Sequence, residues 1–128
     1  MWPFIIGLFF VLHGLVHLLY LGQSWRFFEL QPGMSWPDGS WVFAPFTGVQ
    51  ATRAGAAIGC ILAAVGFVAG GIGLIAGWGW WQPIIIGTAA LSALLYLLFW
   101  DGTTQRLDNQ GGIGLLINVA IGVAVLNW

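Results

Sequence analysis

Two histidines, His13 and His17, stand four residues apart in a stretch from Trp2 to Leu21 that is otherwise almost wholly apolar. About 20 apolar residues in a helix span a hydrocarbon core roughly 30 Å thick. The two imidazoles are the only ionisable side chains inside this one. A polar ring in hydrocarbon costs free energy unless something bonds it, so an intramembrane histidine marks a candidate site. The i, i+4 spacing puts both rings on one face of a helix. Paired in that way they could ligate one metal ion together, as helix-borne histidines do in zinc sites. A closed metal site needs further ligands, and no acid or cysteine lies obviously near. A single histidine could hold a five-coordinate haem or a chlorophyll-type magnesium between aromatic walls. Bis-histidine haem needs ligands on opposite faces of the porphyrin, which one face of one helix cannot give, though two protomers could. A pocket around the pair could instead take a quinone or a lipid headgroup. The plainest alternative is that each ring bonds a backbone carbonyl, Asn118 or Tyr96 and only fixes packing.

The rest of the chain says where such a helix must sit. Of the 128 residues 59% are hydrophobic and 5% charged, against about 25% charged in soluble domains. A soluble chain so poor in charge would expose large apolar patches and aggregate, so an integral membrane protein is the class that fits. Three scattered arginines make no basic patch, which excludes nucleic acid as a partner. The one cysteine, Cys60, excludes an internal disulfide. The start, Met1-Trp2-Pro3-Phe4, has no positive region, and no small-x-small cleavage site follows. The stretch therefore reads as a retained first span rather than a removed signal.

Four spans are expected, at about 3–21, 48–76, 83–100 and 111–128. Pro3 suits a helix start, and Gly7 and Gly14, two turns apart, mark a close-packing face. Between spans 1 and 2 lies an aromatic stretch, 22–46, holding Trp25, Trp36, Trp41 and four phenylalanines among Arg26, Glu29 and Asp38. Prolines and glycines break it too often for a span. It reads as an interfacial segment with a short helix over Ser24–Leu30, serving either as an aromatic belt or as a lid over a site. Thr47 and Gln50 have capping-box spacing at the start of span 2. That span carries Gly55, Gly59, Ala63, Gly66, Gly70 and Gly73 in one stripe, the signature of a tight helix–helix contact within the chain or between chains. Thr88, Ser92 and Tyr96 share a face of span 3, which Gly102 is placed to cap. Gly114, Asn118 and Gly122 share a face of span 4.

Four spans put both termini on one side with loop 2, and loops 1 and 3 on the other. Arg26, Arg53 and Arg106 all belong to the loop-1 and loop-3 side, so the positive-inside rule makes that side cytoplasmic. At about 1.5 Å of rise per residue, His17 lies about 6–8 Å below that face and His13 one turn deeper. Ser92 and Tyr96 lie at matching depths, Asn118 about 10 Å in, and Cys60 deeper still. Buried polar groups seek one another in lipid, so these faces are expected to converge on a polar pocket in that leaflet.

Catalytic signatures are lacking: there is no Ser-His-Asp set, CxxC or HExxH, and no phosphate-cradling loop. Apart from Arg53 at the rim the spans hold no charged side chain, which argues against an ion-coupled pump. The pattern His13-Gly-Leu-Val-His17, with Trp80-Trp81-Gln82-Pro83 before span 3 and Phe99-Trp100-Asp101-Gly102 after it, resembles small uncharacterised four-span bacterial membrane proteins. The layout of the whole chain is similar to the DoxX-like group. That resemblance implies a bacterial inner-membrane protein, an accessory to a redox or photosynthetic complex, and transfers no catalytic residue.

The expectation is an all-α four-helix transmembrane bundle, one domain over 1–128, with His13, His17, Ser92, Tyr96 and Asn118 lining the pocket. Any metal would sit on His13 and His17. The leading function is a non-catalytic accessory or ligand-binding subunit of a larger membrane complex. The alternatives are a haem- or (bacterio)chlorophyll-binding component and a dimeric small-molecule transporter or channel. The expected partners are the bilayer, other membrane subunits, or a second copy held through the span-2 stripe.

Overall fold

A computed structural model describes residues 1–128. It is all-helical: α1 is Trp2–Ser24, α2 Ala44–Ile75, α3 Trp81–Phe99 and α4 Gly112–Leu126, with a single 3-10 turn at Asp108–Gln110. The first three are long and apolar enough to cross a membrane, and they make the chain an integral membrane protein by length and composition. The fourth is shorter, at 15 residues.

The helices run up, down, up, down. Gly7 near the start of α1 lies against Gly71 and Ile75 near the end of α2. Gly55 of α2 meets Phe99 and Gly73 meets Trp80 and Trp81, so α2 and α3 are also antiparallel. Gln82 reaches the Val125 carbonyl, while Tyr96 covers Gly111 and Gly114. The contacts need residues without side chains. A Cβ on Gly71 would stand 2.6 Å from the Gly7 carbonyl oxygen, and one on Gly14 would stand 3.0 Å from that of Ala64. Backbones brought this close gain dispersion contacts that lipid tails cannot replace.

The span-2 stripe faces α3 of the same chain. Gly59 is filled by Leu95, Gly66 by Thr88 and Gly70 by Ile85. Of the two contacts expected for the stripe, the one within the chain is present.

Several boundaries differ from the sequence reading for local reasons. No helix forms over Ser24–Leu30, because α1 runs on to Ser24 and Arg26 then turns the chain with φ +59°. The Thr47–Gln50 capping box is absent. The helix starts earlier, at Ala44, and breaks at Gly48 (φ 76°, ψ 169°), where the Thr47 hydroxyl donates to the Phe43 carbonyl. Gly102 has a positive φ, but it does not cap α3; the helix ends at Phe99, and Trp100 leaves in an extended conformation.

Residues 25–43 fold over the loop-1 end of the bundle. Met34 and Trp36 enter a cluster with Ala56, Cys60, Leu95, Tyr96 and Phe99. Trp25, Phe27, Phe28, Trp41 and the nearby Phe46 of α2 stay exposed. The segment is thus a cap with an aromatic rim.

Candidate functional site

The histidines face inward and are bonded. His17 is fully buried and His13 nearly so. His13 Nε2 lies 2.9 Å from Asn118 Oδ1, and Asn118 Nδ2 lies 2.6 Å from Ser92 Oγ. Ser92 Oγ is 2.7 Å from His17 Nε2, and His17 Nδ1 is 3.1 Å from the His13 carbonyl oxygen. The four side chains therefore close a ring across α1, α3 and α4.

Donor and acceptor counting fixes the protons. The His13 carbonyl only accepts, so His17 carries its hydrogen on Nδ1 and leaves Nε2 bare. Ser92 donates to that nitrogen and accepts from Asn118 Nδ2. The Asn118 oxygen then accepts from His13 Nε2–H. Reversing the Asn118 amide would give Ser92 two acceptors and one proton, and one group would go unbonded. With both rings neutral, this one arrangement satisfies every bond in the ring.

Of the four ring nitrogens only His13 Nδ1 has no partner. It is not sealed in, for the one fully enclosed unpartnered side-chain polar atom of the molecule is Trp36 Nε1. Phe9 stacks beside the His13 ring at 5.9 Å, and Phe67 meets it edge-on at 4.7 Å. The two imidazoles meet edge to face at 5.3 Å. His17 could ligate a metal or haem only by giving up a bond, so the chemistry open to the pair is one lone pair on His13.

Of the five residues expected at the site, four form the ring. Tyr96 is the exception. Its ring lies 5.9 Å from His17, between it and Trp36, but its hydroxyl makes no hydrogen bond to the network. The ring edge was already filled by Ser92, one turn earlier on the same face. The expected polar pocket is likewise a packed cluster. The larger clefts lie between helices and are apolar: about 410 Å³ between α1 and α4, and about 390 Å³ on the outer side of α1 and α2. The first lies on the terminus side of the His13–Asn118 bond and is lined by Ile6, Phe9, Phe10 and residues of α4.

Above His17 the cap is held by polar bonds to which sequence spacing gave no pointer. Asp38 takes Arg53 in a two-pronged pair, Nε at 2.8 Å and Nη2 at 2.7 Å, and Arg26 Nη2 at 2.6 Å. Arg26 also donates to the carbonyls of Gln23, Ser35 and Trp36, threading the loop around its guanidinium. Gln23, fully buried, donates to the Met34 carbonyl and accepts from the Leu30 N–H. Ser40 and Trp41 fasten the far side to the Leu98 and Leu97 carbonyls of α3. Burial alone would raise the Asp38 pKa, but hydrogen bonds and charge from Arg53 and Arg26 outweigh it and hold the carboxyl below its ordinary range. A lone amide at the end of span 1, closely followed by Arg26, was the one available signal.

Comparison with protein-family models, curated proteins and solved structures finds no match for this chain. The assignment below rests on geometry.

Proposed function

We propose that the protein is a non-catalytic subunit of a bacterial inner-membrane complex, with loops 1 and 3 in the cytoplasm, whose His13–Asn118–Ser92–His17 ring locks the helices in register. The observation that carries this reading is the completeness of the ring. Every ring nitrogen except His13 Nδ1 is bonded, as are Ser92 and Asn118. Apart from that one nitrogen, such a network leaves no free group with which to bind or turn over a substrate inside the bundle. It does have a structural use, because α4 meets α1 through the His13–Asn118 bond above an open groove. The bacterial inner-membrane setting rests on the resemblance of the layout to DoxX-like proteins, and the orientation rests on the arginines.

The free Nδ1 of His13 favours one second reading, a haem or chlorophyll-type pigment held by that nitrogen on the α1 side. The two readings separate on one preparation purified in mild detergent. Locking predicts a spectrum of aromatic absorbance alone, with Ser92→Ala and Asn118→Leu lowering the thermal midpoint. A Soret or near-infrared band that His13→Leu abolishes would decide for the pigment and against the lock.

A further inference from the structure

A second cleft, of about 230 Å³, lies outside the histidine ring between loops 1 and 3. Its lining is the reverse of the apolar grooves: Met34 is the one apolar side chain, and Ser35, Asp101, Arg106, Asn109 and Gln110 are among the rest. Two groups in it are unspent. Arg106 makes no ion pair, either with Asp101 or with any other acid. Asp101 accepts from the Thr103 N–H and hydroxyl through Oδ1 and leaves Oδ2 free. Gln110 is 7% exposed; its Oε1 takes the Asp101 N–H at 2.9 Å, and its amide stands beside the Asp101 carboxylate.

Burial alone would raise the Asp101 pKa, but the Thr103 and Gln110 bonds hold it below the ordinary carboxylate value. The carboxylate is therefore charged at neutral pH. One cleft thus presents an unpaired cation and a carboxylate without a cationic partner. Gln110 also walls a smaller apolar cleft of about 100 Å³, made by Tyr96, Leu97, Trp100, Leu107 and Leu115. Polar and apolar spaces share one residue, at the end of the bundle where charged side chains begin.

We propose that this double cleft binds a zwitterionic phospholipid with a primary ammonium, its phosphate on Arg106, its ammonium on Asp101, and one acyl chain entering beside Leu115. The balanced charge of the lining selects a zwitterion over an anionic lipid. The polar lining selects a primary ammonium over a quaternary one, which prefers an aromatic cage. This site is independent of the histidine ring.

The test is native mass spectrometry of the detergent-purified full chain, titrated separately with phosphatidylethanolamine, phosphatidylcholine and phosphatidylglycerol. Preferential retention of the ethanolamine lipid is expected. Arg106→Gln and Asp101→Asn should each weaken that retention about tenfold, the scale of one charge-assisted hydrogen bond. Both variants should fold, because Arg106 bonds nothing and an asparagine oxygen still accepts from Thr103. Leu115→Trp, filling the apolar cleft, should displace the lipid. Equal retention of the three lipids, or retention unchanged in both charge variants, would overturn the proposal. Displacement of the bound lipid by millimolar free phosphoethanolamine, with Leu115→Trp without effect, would overturn the lipid in favour of a soluble zwitterion.

Discussion

Toward loops 1 and 3 the helices are tied by bonds between identifiable polar groups. Toward the termini and loop 2 they are held by glycine backbones and apolar side chains. The first region contains the histidine ring, the Arg26–Asp38–Arg53 cluster and the buried amides of Gln23 and Gln110. The second contains the Gly7–Gly71 crossing, the Ile85–Gly70 contact and the Trp81–Trp128 edge contact at 5.5 Å. The two solutions answer one problem. Helices in lipid gain little from hydrophobic burial, so close approach or a hydrogen bond must supply the affinity. Close approach gives affinity with little choice of register, whereas the ring closes in one register only. The apolar end supplies contact area, and the polar end supplies the alignment.

Substitutions at the two ends should therefore fail differently. The largest effect is expected from Gly71→Leu. Even a Cβ there collides with the Gly7 backbone, so α1 and α2 must part, at a cost of about 3 kcal/mol or more. Thermal unfolding in detergent should show a large drop in midpoint, and an unchanged midpoint would refute the backbone contact. Asn118→Leu comes next. It strands His13 Nε2–H and removes a bond to Ser92, for a loss of about 2–3 kcal/mol. If the ring fixes register, cysteine pairs placed across α1 and α4 should cross-link broadly in this variant and selectively in the parent.

A smaller, local effect is expected at the cap. The folded-state pKa of Asp38 is depressed, so its contribution to stability is full above the ordinary carboxylate value, about 3.9. It fades as pH falls through the lower folded value. Tryptophan emission from Trp36 should shift toward the red in that acid window, and Asp38→Asn should show the exposed signal already at neutral pH. A shift near pH 6 instead would point to another group. The smallest effect is expected from Gly122→Ala. Nothing lies within 4 Å of the added carbon, so stability should change by no more than about 0.5 kcal/mol. A large loss there would mean that α4 meets a surface outside this chain.

The apolar framework could be read from residue types. Twenty-residue apolar runs, the prolines near helix starts and the small-residue spacing of α2 all have direct physical counterparts. Convergence of His13, His17, Ser92 and Asn118 was also legible, because each sits at a matching depth and polar groups in lipid find one another. The choice between pocket and packed ring was not legible, for it depends on side-chain fit within an ångström. Tyr96 shows the limit: its depth and face were correct, yet the hydroxyl stayed outside a ring already complete. The cap was hardest to read. Arg26, Asp38 and Arg53 meet across the irregular segment 25–43, which carries no periodicity to follow.

The shortness of α4 reaches beyond the molecule. Fifteen helical residues rise about 22 Å, roughly 8 Å less than an ordinary hydrocarbon core. Acyl chains beside that helix must compress to meet it, at a cost that grows with each ångström of mismatch. A thinner bilayer lowers that cost, so the thickness of the surrounding membrane enters the energy of this fold.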